Sequence, residues 1–156
     1  MANTSNPMPP YKALDVAKAI IQLCNENNIP CTPMKLQKLA YIAHGWSLGL
    51  GKGPLIEEPV LAWKFGPVYP EIYDKYKGSE PITPSTKPSE LLKFEKTKEL
   101  LDKVMARYGK YPGVALSALS HKPETPWSLV YKPFIRNIII PNALIEKHYK
   151  EKIICE

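Results

Sequence analysis

The placement of proline is the feature that most constrains how this chain folds. Seventeen of the 156 residues are proline, which is about twice the usual share of roughly 5%. The prolines cluster at residues 7–10, 54–70, 81–88 and 123–141. Because proline lacks a backbone N–H and breaks a helix interior, these clusters divide the chain into short segments. They predict a domain of short helices and argue against a long bundle.

Between the clusters, the residue pattern predicts helices joined by short extended pieces. Thr32 followed by Pro33 is typical of a helix start, and strands are predicted at 55–57 and 60–65. A chain of this length can bury a real core in one domain. The predicted fold is mainly α, a single compact helical domain with a small β-hairpin or short strands. That domain would span residues 11–156, after a disordered N-terminal lead at residues 1–10.

The number and distribution of charged residues limit the classes of molecule that this chain is expected to bind. The net charge is +6, but the lysines are scattered among glutamates and the only arginines are Arg107 and Arg136. Specific DNA readers use arginine for base edges and phosphates. The charge therefore allows an acidic protein partner or weak nucleic-acid attraction, and it argues against specific nucleic-acid binding.

Cysteine content and apolar runs indicate the compartment. The three cysteines, Cys24, Cys31 and Cys155, are widely spaced and form no disulfide framework. The N-terminal residues are polar and do not resemble a signal sequence. The longest apolar run is well below membrane-spanning length. We therefore predict a cytoplasmic protein with no membrane partner.

No catalytic or metal-binding set is recognisable. His44, His121 and His148 lack His-x3-His or Glu-x-x-His spacing. Cys24 lies on the apolar face of a predicted helix, where a small buried hydrophobe is the expected role. We predict no enzyme, no cofactor and no metal. A small enzyme using His44 or His121, or a nucleic-acid-binding protein, is the alternative from another class.

Residues 59–76 form a segment that is unusually rich in aromatic residues. Trp63, Phe65 and Tyr69 surround a Gly66-Pro67 break, whereas surface turns favour small and polar residues. Aromatic residues dominate cores, so we predict that Phe65 is buried and that Trp63 anchors a short strand. Tyrosine and tryptophan are also common hot spots of interfaces. We predict Tyr69 to be a partner contact.

Other aromatic residues pose the same choice between core and surface. We predict that Trp46 belongs to the core. Tyr41 and Trp127 lie near turns or polar positions, so we predict that both are partly exposed, like Tyr69.

Three motifs resemble those of the Panacea (SocA-like) antitoxin domain family. They are Met34–Trp46, Ala62–Tyr69, and Leu119–His121 with Pro126–Trp127, in that order. The resemblance extends from about Asp15 to Tyr149. It implies a non-enzymatic antitoxin that neutralises a cognate toxin protein by direct protein-protein binding. It also implies a second activity, that of a proteolytic adaptor which delivers the toxin to a Clp-type protease.

The motif positions supply the candidate site residues. We predict partner contacts at Tyr41, His44, Lys64, Tyr69, His121 and Trp127. We predict a structural motif at Leu36, Leu39, Trp63, Gly66 and Pro67. An alternative from the same binding class is a phage or mobile-element inhibitor of a host defence protein.

Overall fold

Short helices separated by loops make up most of the structure. A computed structural model describes residues 9–155, without the side chains of residues 154 and 155. The predicted lead at residues 1–10 lies outside the described residues, apart from Pro9 and Pro10. In chain order the elements are α1 (Ala13–Glu26), α2 (Pro33–Gly49), β1 (Leu61–Trp63), β2 (Gly66–Val68), α3 (Pro70–Tyr76), α4 (Glu95–Tyr108), α5 (Gly113–Ser120), α6 (Pro126–Val130), β3 (Ile138–Ile139) and α7 (Asn142–Cys155). The predicted mainly α domain with a small sheet is confirmed.

Helix α2 is the centre of the molecule. Its residues from Lys35 to Leu48 are all buried, as expected for a helix that is covered on every side. Helices α1, α4, α5 and α7 pack around it. The helix begins as predicted, because the Thr32 side chain accepts a hydrogen bond from the Lys35 amide at 3.2 Å. Gly45 lets α7 approach closely, since a Cβ there would overlap the Tyr149 ring.

A three-stranded antiparallel sheet lies beside α2, in the order β2-β1-β3. Strands β1 and β2 form a hairpin in which Ala62 pairs with Pro67. Gly66 makes the tight turn possible, because its φ of 115° is a conformation that other residues rarely adopt. The hairpin is formed by β1 and β2, so the predicted strands at 55–57 and 60–65 do not pair with each other. Residues 55 and 57 instead bond to the Tyr11 backbone.

Candidate partner-binding site

Helix α2 directs two buried polar side chains at the backbone of residues 63–69, which we call the aromatic turn. The Gln37 amide donates to the Tyr69 carbonyl at 3.0 Å and accepts from the Tyr69 N–H at 2.9 Å. The Lys38 ammonium donates to the Phe65 and Pro67 carbonyls at 2.9 and 3.2 Å. Burial lowers the pKa of Lys38 to about 8. Lys38 therefore still carries most of its charge at pH 7.

Side chains of α5, α6 and the loop between them, including residues of the third motif, also bond to this turn. The Trp127 indole N–H donates to the Trp63 carbonyl at 2.7 Å, and the Ser117 hydroxyl donates to the Phe65 carbonyl at 3.1 Å. Both ring nitrogens of His121 face carbonyl oxygens, that of Ser117 at 2.7 Å and that of Lys64 at 3.3 Å. Buried backbone groups need partners. Here side chains from distant helices supply them, so the three motifs form one hydrogen-bonded unit.

Gly66 has no room for a side chain. A Cβ at this position would lie 2.6 Å from the Lys38 ammonium nitrogen and 2.9 Å from the Ser120 hydroxyl oxygen. Among the residues predicted to be structural, Leu36, Leu39, Gly66 and Pro67 are buried and Trp63 is half-buried. The Trp63 ring packs edge-on against Tyr73 of α3, with the ring centres 5.4 Å apart.

Most residues predicted to contact a partner lie inside the protein. The expectation that Tyr41, Tyr69 and Trp127 are partly exposed is wrong, because all three are buried. Tyr69 is 0% exposed and lies under α2, where Gln37 binds its backbone. His44 is also buried. Of the six predicted contacts, only Lys64 is exposed, and His121 is partly so.

Phe65 shows the reverse error. It was predicted to be a core residue, but 63% of it is exposed. The carbonyls of Trp63, Phe65 and Pro67 accept hydrogen bonds from α2 and α5–α6 side chains, while the Phe65 ring is exposed. Trp46, by contrast, is buried as predicted and donates to the Tyr108 hydroxyl at 3.4 Å.

His44 is a core histidine that satisfies backbone donors. Its Nδ1 accepts from the Leu55 and Ile56 amides, each at 3.2 Å. Its Nε2 therefore carries the proton and donates to the Asn142 side-chain oxygen at 2.9 Å. Burial lowers the pKa of His44, and the hydrogen bond with Asn142 partly opposes this shift. The neutral ring ties α2 to residues 55–56 and to the start of α7.

The lowered pKa of His44 predicts a pH-dependent stability. The unfolded chain takes up a proton on His44 near pH 6.5, whereas the folded ring does so only at lower pH. The free energy of unfolding therefore falls as the pH drops below about 6.5. His44→Asn keeps an acceptor for the two amides and removes the titration. We expect this variant to be less stable than wild type at pH 7, by about 1–3 kcal/mol, but less sensitive to acid.

Urea denaturation at pH 7, 6 and 5 measures this difference. His148→Asn measures the separate contribution of the half-buried His148, whose pKa burial also lowers and which therefore adds a loss of the same sign. An equal loss of stability with acid in wild type and His44→Asn would contradict the assignment.

Gln37 is expected to be a large single contributor to the aromatic turn. In Gln37→Leu, the buried N–H of Tyr69 loses its partner, at about 1–3 kcal/mol, whereas the Tyr69 carbonyl still accepts from the Ile72 and Tyr73 amides. We therefore expect a loss of about 1–3 kcal/mol in the free energy of unfolding, measured by chemical denaturation. Gln37→Glu should also be destabilising, because it buries a carboxylate oxygen against the Tyr69 carbonyl oxygen. Wild-type stability in the leucine variant would show that the pair is unimportant.

A groove of about 630 Å³ opens beside the aromatic turn. Its walls come from α2, the turn, α3 and the loop at residues 131–137. Large apolar side chains stand exposed along the groove or next to it in sequence, including Phe65, Phe134, which is 97% exposed, and Ile135. Lys38, Lys64 and Arg136 line the groove, and no acidic residue of the described chain does so.

Sequence reasoning missed this surface. Tyr73, Phe134, Ile135 and Arg136 were not selected as site residues, and Phe65 was assigned to the core. One pattern could have found part of it. Phe134 and Ile135 form an apolar pair inside a loop that holds Pro133 and Arg136, and exposed apolar groups of this kind mark interaction sites.

The described residues give little indication of a catalytic or metal-binding site. The hydrogen bond that the Cys31 thiol donates to Cys24, together with burial, raises the pKa of Cys31, which keeps that thiol protonated. Within residues 9–155, apart from the side chains of 154 and 155, no three His, Cys, Asp or Glu side chains gather as metal ligands. No helix in the same part of the chain is long and apolar enough to cross a membrane.

Fold and site together define a small helical domain, with a hydrogen-bonded aromatic turn at the edge of an apolar, basic groove. The family described as "Antitoxin SocA-like, Panacea domain" matches residues 36–128, and the chain belongs to this family. The match confirms the resemblance seen in the three motifs. Family membership supports an antitoxin role and implies a non-enzymatic one.

A curated relative points the same way. The chain is 30% identical to the protein named "Antitoxin SocA" from Caulobacter vibrioides (strain NA1000 / CB15N) over 150 residues, which cover 88% of this chain and 79% of that protein. No solved structure gives a significant match. The family match ends at residue 128, so the groove wall at residues 131–137 lies beyond it.

Proposed function

We propose that this protein is an antitoxin that neutralises a cognate toxin by direct, non-enzymatic protein-protein binding. The family match supports the role, and the exposed Phe65 at the groove is the observation that carries the mode of action. A monomeric domain gains nothing in stability from a phenyl ring in water. Exposed apolar groups gathered at one place typically mark an interaction site.

The buried motif residues support a binding role over a catalytic one. His44 and His121 bond to backbone groups, and Lys38 holds the aromatic turn. These contacts fix the turn before any partner arrives. A preorganised surface loses less conformational entropy on binding, which favours tight association. We also propose a cytoplasmic location, which the two free buried thiols Cys24 and Cys31 support.

Co-expression with the toxin encoded by the adjacent reading frame tests the proposal. We expect the toxin alone to arrest growth, and this protein to restore growth and co-purify with the toxin. A failure of both rescue and co-purification would refute the antitoxin role for that pair. Recovery of a host nuclease or signalling enzyme instead of a toxin would favour the alternative, a phage or mobile-element inhibitor of host defence.

Delivery of the bound toxin to a Clp-type protease is a further step that such binding permits. The half-life of the toxin, measured in cells with and without the protease, separates the two mechanisms. A proteolytic adaptor shortens the toxin half-life only when the protease is present. Neutralisation by occlusion leaves the toxin half-life unchanged in both strains.

A further inference from the structure

We propose that the groove beside the aromatic turn is the toxin-docking site, and that it takes an apolar segment of the toxin flanked by acidic side chains. The inference rests on the proposed antitoxin function and adds the location and the chemistry of the contact.

The size and walls of the groove require an apolar occupant. Its volume of about 630 Å³ lies in the range of roughly 300–1,000 Å³ typical of binding pockets. Ala62, Val68 and Ile72 line it and are buried, and Phe65 and Tyr73 line it and are exposed. An aromatic or branched aliphatic side chain of the toxin, inserted into the groove, would bury both this apolar surface and the apolar surface of that side chain.

The charges of the groove require acidic flanks. Lys38, Lys64 and Arg136 line it, and no Asp or Glu of the described chain does. The Lys38 ammonium bonds to two carbonyl oxygens and to no carboxylate within residues 9–153. Lys64 and Arg136 are exposed and form no ion pair among the same residues. Complementary charge steers association and selects between partners, so a segment carrying carboxylates fits where a basic one would be repelled.

The rigidity of the turn makes the groove a suitable docking site. The backbone of Phe65 is held in place, because its carbonyl oxygen accepts hydrogen bonds from the Lys38 ammonium and the Ser117 hydroxyl. Rigid aromatic anchors contribute area at a low entropy cost. The loop at residues 131–137 forms the facing wall and lies outside the range matched by the family.

Charge reversal tests the proposal on the purified toxin identified by growth rescue. We expect the double variant Lys64→Glu/Arg136→Glu to weaken toxin binding at least tenfold, as measured by calorimetry at 150 mM salt. The matched control is Lys103→Glu/Lys147→Glu, which changes the net charge equally at exposed positions on α4 and α7. We expect the control to weaken binding less than threefold. Thermal melts of both variants should equal that of wild type, since all four positions are exposed.

Photo-crosslinking identifies the occupant. With p-benzoylphenylalanine at position 135, we expect the crosslinked toxin peptide to contain an aromatic or aliphatic residue with Asp or Glu within about three positions. Replacing that acid by lysine should restore binding to the Lys64→Glu/Arg136→Glu variant.

Each outcome has a definite meaning. If wild type does not bind the toxin, the proposed function fails, and the docking inference with it. If wild type binds and the two double variants behave alike, the antitoxin role stands and the docking inference is overturned. A crosslinked peptide that is neutral or basic also overturns it.

Discussion

Replacing Tyr69 with alanine is expected to lower the free energy of unfolding by about 3–5 kcal/mol, the range for truncating a buried aromatic side chain. The ring is 0% exposed and packs edge-on against His44, with the ring centres 6.4 Å apart. Tyr69 is the N-cap residue directly before α3. Truncation to alanine would therefore leave a cavity where α2, the turn and α3 meet. Chemical denaturation of the purified variant measures the loss.

Tyr69→Phe separates the contribution of ring packing to stability from that of the hydroxyl group. Among the residues that the structure describes, the Tyr69 hydroxyl has no hydrogen-bond partner, and burial raises the pKa of this phenol well above its usual value. An unpaired buried hydroxyl is itself destabilising. We therefore expect Tyr69→Phe to be at least as stable as wild type and to bind the toxin normally. If Tyr69→Ala kept full stability and lost binding, the residue would be a contact after all.

Replacing Phe65 with alanine is expected to have the opposite profile. Toxin binding should weaken by about 2 kcal/mol or more, or roughly 30-fold, as for a hot-spot aromatic residue. The free energy of unfolding should change by less than about 0.5 kcal/mol, because the side chain is 63% exposed and its backbone contacts remain. Calorimetric titration with the toxin and urea denaturation, run on the same preparation, give both quantities.

Leu50→Ala is the matched control for Phe65→Ala. Leu50 is also an exposed apolar residue, but it follows the far end of α2, about 25 Å from the groove end of that helix. We expect toxin binding by this variant to equal that of wild type. If the two alanine variants bound the toxin equally well, the groove would not be the contact surface.

Tyr69 and Phe65 show where sequence reasoning succeeded and where it failed. The segment around them was recognised as unusual because aromatic residues crowd a Gly-Pro turn. The prediction placed Phe65 in the core and Tyr69 partly at the surface, whereas in the structure Phe65 is exposed and Tyr69 is buried. Gly66 adopts a positive φ between the two residues, and the Lys38 and Ser120 side chains lie so close to it that a Cβ would meet them. Local composition carries no information about those neighbours.

The pairing of the predicted strands was not foreseen for a related reason. The apolar run at 60–65 does contain β1, but its partner strand begins at Gly66, where a break between strand and helix was predicted. Residues 55 and 57 pair with Tyr11, more than 40 positions earlier. Strand pairing depends on which backbone groups remain free after the whole chain has folded, and a local pattern does not reveal this.

The sequence by itself determined the helical class, the start of α2 at Thr32-Pro33, and the family. These rest on local preferences, such as capping and proline stereochemistry, and on motifs that keep their order along the chain. Only the tertiary structure decided that many motif side chains hold the aromatic turn through hydrogen bonds. The bonds responsible join residues far apart in sequence, 32 positions between Gln37 and Tyr69 and 64 between Trp127 and Trp63. A side chain used for such a bond is buried with it, which leaves the groove and Phe65 as the surface.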